Sequence, residues 1–227
     1  NRVVDQKKLA EAIHAGNECY DSMKDDPHHR YLSWEYCHEA FRLNRRPQID
    51  ATIDYLCLHL AWYLASWGML RNSFLMQKDY KIHADVVRLI YQPEWDDLWD
   101  LSPEKLSQEY YSDRIMKLSE SITEAYVASG AGIPTDTLLT KIMLGTLGCV
   151  PAYDRYCKKA LADTGAAPQV FSAKSIRTLG NLYLDHEDEF EKLRKHCGSR
   201  IEYPAAKILD MCFFEYGFQR DASSQED

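Results

Sequence analysis

Glycine and proline are scarce in this chain, at ten and eight of 227 residues, and no low-complexity tract precedes its last residues. A collagen-like or largely disordered polymer is thereby excluded. There is no Cys-x-x-Cys pair, no short Cys/His cluster and no His-Glu-x-x-His or His-x-x-x-His spacing, so no zinc, iron–sulfur or other metal site is expected, and no cofactor. The absence of a Gly-x-Ser-x-Gly elbow removes the usual context for a serine nucleophile. Residues 1–6 carry no apolar signal-like core, and the longest uncharged run, Tyr55 to Leu70, is shorter than the roughly 20 residues that cross a bilayer. A soluble, cytoplasmic protein without a membrane partner is the expectation. Positive charge is also in deficit, with 27 Lys and Arg against 35 Asp and Glu and a net charge of -8. A compact DNA-binding domain is usually basic, so DNA binding would have to depend on a local basic face.

What the chain does have is apolar residues spaced by three and four almost throughout, the period of amphipathic helices. The seven cysteines lie mostly inside apolar runs such as Tyr55–Leu58 and Asp210–Phe213, where a free thiol behaves as a small hydrophobe and a reducing compartment fits. The spacing predicts helices over about Val4–Met23, His29–Leu43 and Ile49–Met69, with Asp25-Asp26-Pro27 and Arg45-Arg46-Pro47 as breaks. A further helix is expected through Tyr91. Ser102-Pro103-Glu104 is a strong helix start and predicts a helix reaching Ala128. Helices follow at about Asp136–Leu147, Ala152–Ala162, Val170–Tyr183, Glu187–His196 and Pro204–Phe218. The expected fold is all-α: one irregular domain of about ten helices over residues 1–220, with a disordered acidic tail over 221–227.

One segment carries a pattern beyond helical periodicity. Gly130-Ala131-Gly132 is a G-x-G turn between two helices, and such a turn can present backbone N–H groups to a phosphate at a helix start. The apolar stretch Leu138–Leu144 follows, then Pro151, Asp154, Lys158 and Leu161 in the spacing P-x-x-D-x-x-x-K-x-x-L. Asp154 lies 22 residues after Gly132, in the first turn of the expected helix. Over residues 130–161 this order resembles the helix-hairpin-helix superfamily of DNA glycosylases. The resemblance implies that Asp154 assists departure of the base and stabilises positive charge on the sugar. It also implies that Gly130 and Gly132, with Lys158 nearby, hold the nucleic-acid backbone. Pro134 and Thr135 stand where bifunctional members carry a nucleophilic lysine, and Lys141 lies one to two turns further on, so a Schiff-base lyase step is not expected. Residues 136–184 carry six basic side chains and three acids, opposite in sign to the whole chain.

Trp62, Tyr63, Trp67 and Arg71 share helical spacing, as a stacking pocket or as aromatic core. Trp67, Arg71 and Tyr153 are the candidate pocket residues. Three functions are open: a glycosylase-like protein that binds DNA or a nucleotide, a helical module that binds a protein partner or dimerises, and a small-molecule enzyme in which Lys141, Asp154 and Asp210 meet in one cleft. The first requires the hairpin and Asp154 to face one basic cleft. The second requires an exposed apolar patch.

Overall fold

Asp5 opens the first helix by accepting the Lys8 amide at 3.1 Å, and α1 then runs Gln6–Met23. A computed structural model describes residues 3–45, 50–198 and 200–223. After α1 come α2 (Leu32–Leu43), α3 (Asp50–Ser66), α4 (Ala84–Ile90), α5 (Pro103–Leu106), α6 (Glu109–Ala128) and α7 (Asp136–Gly145). The chain continues with α8 (Arg155–Thr164), α9 (Ala173–Asp185), α10 (Glu187–His196) and α11 (Ala205–Ser223). No strand occurs among the described residues, and the all-α single domain stands as expected. None of the helices described is long and apolar enough to cross a membrane.

Several boundaries differ from the periodicity, each for a local reason. The stretch after Gly68 forms two 3-10 turns, Phe74–Gln77 and Tyr80–His83, rather than one helix. The Ser73 hydroxyl accepts the Leu75 amide and the Asp79 carboxylate accepts the Lys81 amide, restarting the chain twice. The expected helix over Ser102–Ala128 is broken at Ser107 and Gln108. The backbone of Ser107 lies so near Gly180 of α9 that a Cβ there would sit 2.4 Å from the Ser107 nitrogen. Residues 221–223, expected in a disordered tail, belong to α11, where Asp221 pairs with Arg155 and Lys159 at 3.4 and 3.2 Å. The rest of that tail, and the Arg46-Pro47 break, lie outside the described residues.

The helices pack in two groups. α2, α3 and α6 pack against α7, whose residues 138–145 are all buried, and α4 packs on α3 and α6. The second group sets α1 and α8 against α11, with α10 beside them, and α9 touches both groups. At the α8–α11 contact the helices approach so closely that a Cβ on Gly217 would lie 2.1 Å from the Tyr156 carbonyl oxygen. All seven cysteines are buried free thiols, as their apolar settings suggested.

Two consequences can be measured. Gly217→Ala forces α8 and α11 apart, because the obstruction is backbone and cannot rotate away; a loss of at least about 2 kcal/mol is expected in urea unfolding. His83 is 2% exposed with its Nδ1 2.7 Å from the Tyr126 hydroxyl, and burial pushes its pKa down to about 4. The unfolded chain therefore takes up a proton below about pH 6.5 that the folded chain refuses until about pH 4. Stability is intact above pH 6.5 and falls by on the order of 3 kcal/mol as the pH drops through that window. Thermal melts from pH 7 to pH 4 should show this slope, and His83→Gln should flatten it.

Candidate functional site

Residues 138–154 form one uninterrupted buried stretch, and it contains Lys141 and Asp154. Leaving an unpaired charge in such a place costs several kcal/mol, so each charge should have a partner. Lys141 Nζ lies 2.9 Å from Asp154 Oδ2. Asp154 is not in the first turn of α8 but caps it: Oδ1 accepts the amides of Tyr156 and Cys157, each at 3.0 Å. Three N–H donors thus converge on one carboxylate and fix its position. The segment before α8 is extended, and its polar backbone is satisfied by neighbours. The Tyr153 amide donates to Thr140 Oγ1 at 2.9 Å, the Thr137 hydroxyl donates to the Tyr153 carbonyl at 3.0 Å, and the Ala152 amide donates to Asp210 Oδ1 at 3.0 Å.

Asp210 belongs to a second buried pair. Its Oδ2 lies 3.1 Å from Lys207 Nζ, one turn back on α11, inside the continuously buried stretch 203–214. The two lysines meet at Trp67: Lys141 Nζ is 4.9 Å and Lys207 Nζ 5.5 Å from its ring centroid, and Phe214 packs edge-on at 5.2 Å. Trp67 follows the last residue of α3 instead of lying within it. Burial, and then the Asp210 carboxylate, push the Tyr63 hydroxyl well above its ordinary range. That hydroxyl donates to the Lys141 carbonyl at 3.0 Å.

Trp67, Lys141 and Asp154 form part of the wall of a cleft of about 670 Å³ at the junction of the two helix groups. Arg30, Arg71 and Arg155 line the same cleft, so four basic side chains face one acid in a chain of net charge -8. All three arginines are exposed. Met69, Arg71 and Thr137 also line a second hollow of about 290 Å³ that includes Ile133 and Thr135. The two hollows thus share three wall residues, and Ile133 and Thr135 of the segment after α6 border the second while Asp154 borders the first.

The remaining sequence candidates are placed differently. Gly130 closes α6 in a left-handed conformation (φ 71°); its amide donates to the Val127 carbonyl and that of Ala131 to the Tyr126 carbonyl, both at 3.0 Å. With its N–H engaged inside the turn, Gly130 is withdrawn as a phosphate donor. Gly132 also has positive φ (132°) and lies against the Phe74 ring. Tyr153 is a core residue, not a pocket residue: it is fully buried, with its hydroxyl 2.8 Å from Ser175 Oγ. Lys158 is half-buried on α8 and is not among the side chains lining the cleft. Asp210 lies behind Trp67, outside the open cleft, so Lys141, Asp154 and Asp210 surround one ring without sharing one cleft. The aromatic stripe splits: Tyr63 is core, Trp67 is at the site, and Trp62 is 72% exposed beside half-exposed Tyr55 and Leu58 on the outer face of α3. Among the described residues no group of three His, Cys, Asp or Glu side chains could hold a metal.

Sequence reading missed Arg30, Arg155, Phe214 and Lys207. Lys207 and Asp210 did carry a signal: a charged i,i+3 pair in the middle of an otherwise apolar helix. Comparison with protein-family models, with curated proteins and with solved structures gave no match.

Removing one partner from a buried ion pair leaves the other charge uncompensated. Lys141→Met should cost about 3–5 kcal/mol in urea unfolding, and the double variant Lys141→Met/Asp154→Asn should recover part of that loss.

Proposed function

We propose that the cleft binds nucleic acid or a nucleotide and cleaves an N-glycosidic bond, with Asp154 as the carboxylate that stabilises positive charge on the sugar. The observation that carries this reading is the buried Lys141–Asp154 pair in the wall of a cleft whose exposed side chains include three arginines. Arg30, Arg71 and Arg155 suit phosphate, because a guanidinium offers a planar fork of donors and is weakly hydrated. Asp154, locked by three donors, supplies a fixed negative charge where a departing base leaves its sugar electron-poor. Gly132, on the turn after α6, keeps the backbone-contact role that the helix-hairpin-helix resemblance implies for it. The order of hairpin, α7 and carboxylate along the chain is the one on which the resemblance rests.

The test is a gel-shift and base-release assay on single-stranded and duplex DNA containing damaged and mismatched bases. Binding should be present at low salt and weaken steeply as salt rises. Arg71→Ala should weaken binding without altering the fold. Asp154→Asn retains a capping side chain and should keep binding while losing base release by about 100-fold or more. No binding at low salt would sink the nucleic-acid reading. Borohydride should trap no adduct, and a borohydride-stable adduct that vanishes in Lys141→Met would sink the reading of cleavage without a Schiff base.

A further inference from the structure

From Tyr55 onward α3 has the composition of a fully buried helix, yet one side of it is open. Ile53, Leu56, Leu60 and Leu64 bury its inner face. On the outer face Ala51, Tyr55, Leu58, Trp62 and Ala65 recur at spacings of four, three, four and three, the seam period of paired helices. Tyr55 and Leu58 are half-exposed and Trp62 more so, and no other helix among the described residues leaves three large apolar side chains open. Between Asp54 and the end of α3 there is no Asp, Glu, Lys or Arg. His59 adds no charge at neutral pH. It packs edge-on against Tyr55 at 4.5 Å, and burial pulls its pKa below the ordinary histidine value. A helix that is apolar all round is ordinarily buried all round. An open patch built on a tryptophan and a tyrosine has the makings of an interface core.

The seam's own symmetry selects its occupant. Laid antiparallel on a second copy with Leu60 at the centre, each Leu58 meets the other copy's Trp62. Each Tyr55 meets the other copy's Ala65, whose small side chain leaves room for the ring. Such a two-fold contact uses one patch twice. The ends match in charge as well. Asp50, the first residue of α3, pairs with Arg88 at 3.2 Å but keeps its side chain 96% exposed. Arg71, also exposed, follows the opposite end of the helix. The same register sets Asp50 of one copy beside Arg71 of the other, and the two helix dipoles run in opposite directions.

We propose that the outer face of α3 is a homodimer seam that packs antiparallel against α3 of a second copy of this chain. Its argument is independent of the chemistry of the cleft. A seam of one helix face is smaller than a standard interface, so a reversible dimer with a Kd of about 1–50 µM is expected.

Sedimentation equilibrium of the full chain across that range should show monomer giving way to dimer. Leu58→Glu and Trp62→Glu each set a charge in the seam without entering the core. Each should weaken the dimer by about 30-fold or more while the far-ultraviolet circular dichroism stays unchanged. Asp50→Arg and Arg71→Asp should each weaken it about threefold at low salt, and the two changes in one chain should restore it. A chain that stays monomeric up to about 200 µM, or a dimer indifferent to both glutamates, overturns the seam. A dimer broken by the glutamates but not restored by the paired charge change overturns the antiparallel register.

Discussion

A lysine and an aspartate held 2.9 Å apart inside a protein constrain everything around them. Lys141 is on α7, the helix at the centre of one group, and Asp154 caps α8, which belongs to the other. The pair therefore sets how the two groups meet. Its geometry must be good, because attraction in the interior offsets desolvation only when the remaining donors and acceptors are also satisfied. On the carboxylate side they are: it takes two further amides, and the Tyr63 hydroxyl and Thr140 tie the adjoining backbone. The Lys207–Asp210 pair repeats the arrangement on α11, and its aspartate reaches across to the Ala152 amide two residues before Asp154.

Two buried ion pairs around one tryptophan are costly in a core that Leu or Met would fill more stably. The proposed function draws on ionic groups kept in such a place beside an open cleft. The net acidity of the chain does not oppose this. Charge acts locally, and the arginines that line the cleft are contributed by the α1–α2 connection, the segment after α3 and the first residue of α8.

Helices were legible because their apolar period is a local property; Glu187–His196 is found where the spacing placed it. Breaks were legible where a proline or a capping serine marks them, as at Ser102. They were hidden where the cause is distant, as at Ser107, which yields to a glycine on α9. The same division governs the site. Asp154 and Lys141 stood out because a short motif spans them. Arg30 and Phe214 reach the cleft from opposite ends of the sequence, and no local pattern announces that. Gly130 and Tyr153 misled because their neighbours in sequence suggested exposure, whereas a helix-ending turn and a serine on α9 engage them.

The packing of α1 against α11 has a kinetic consequence. Arg220 and Glu11 are joined by an ion pair at 2.6 Å across 209 positions of chain. Closing so long a loop is entropically unfavourable before any contact rewards it. The apolar face of α1 must therefore stay uncovered while the intervening helices assemble, and Lys207 and Asp210 arrive with the helix that covers it. During folding the Lys207–Asp210 pair is thus among the last features to form, and the exposed face of α1 is where a chaperone would have most to hold.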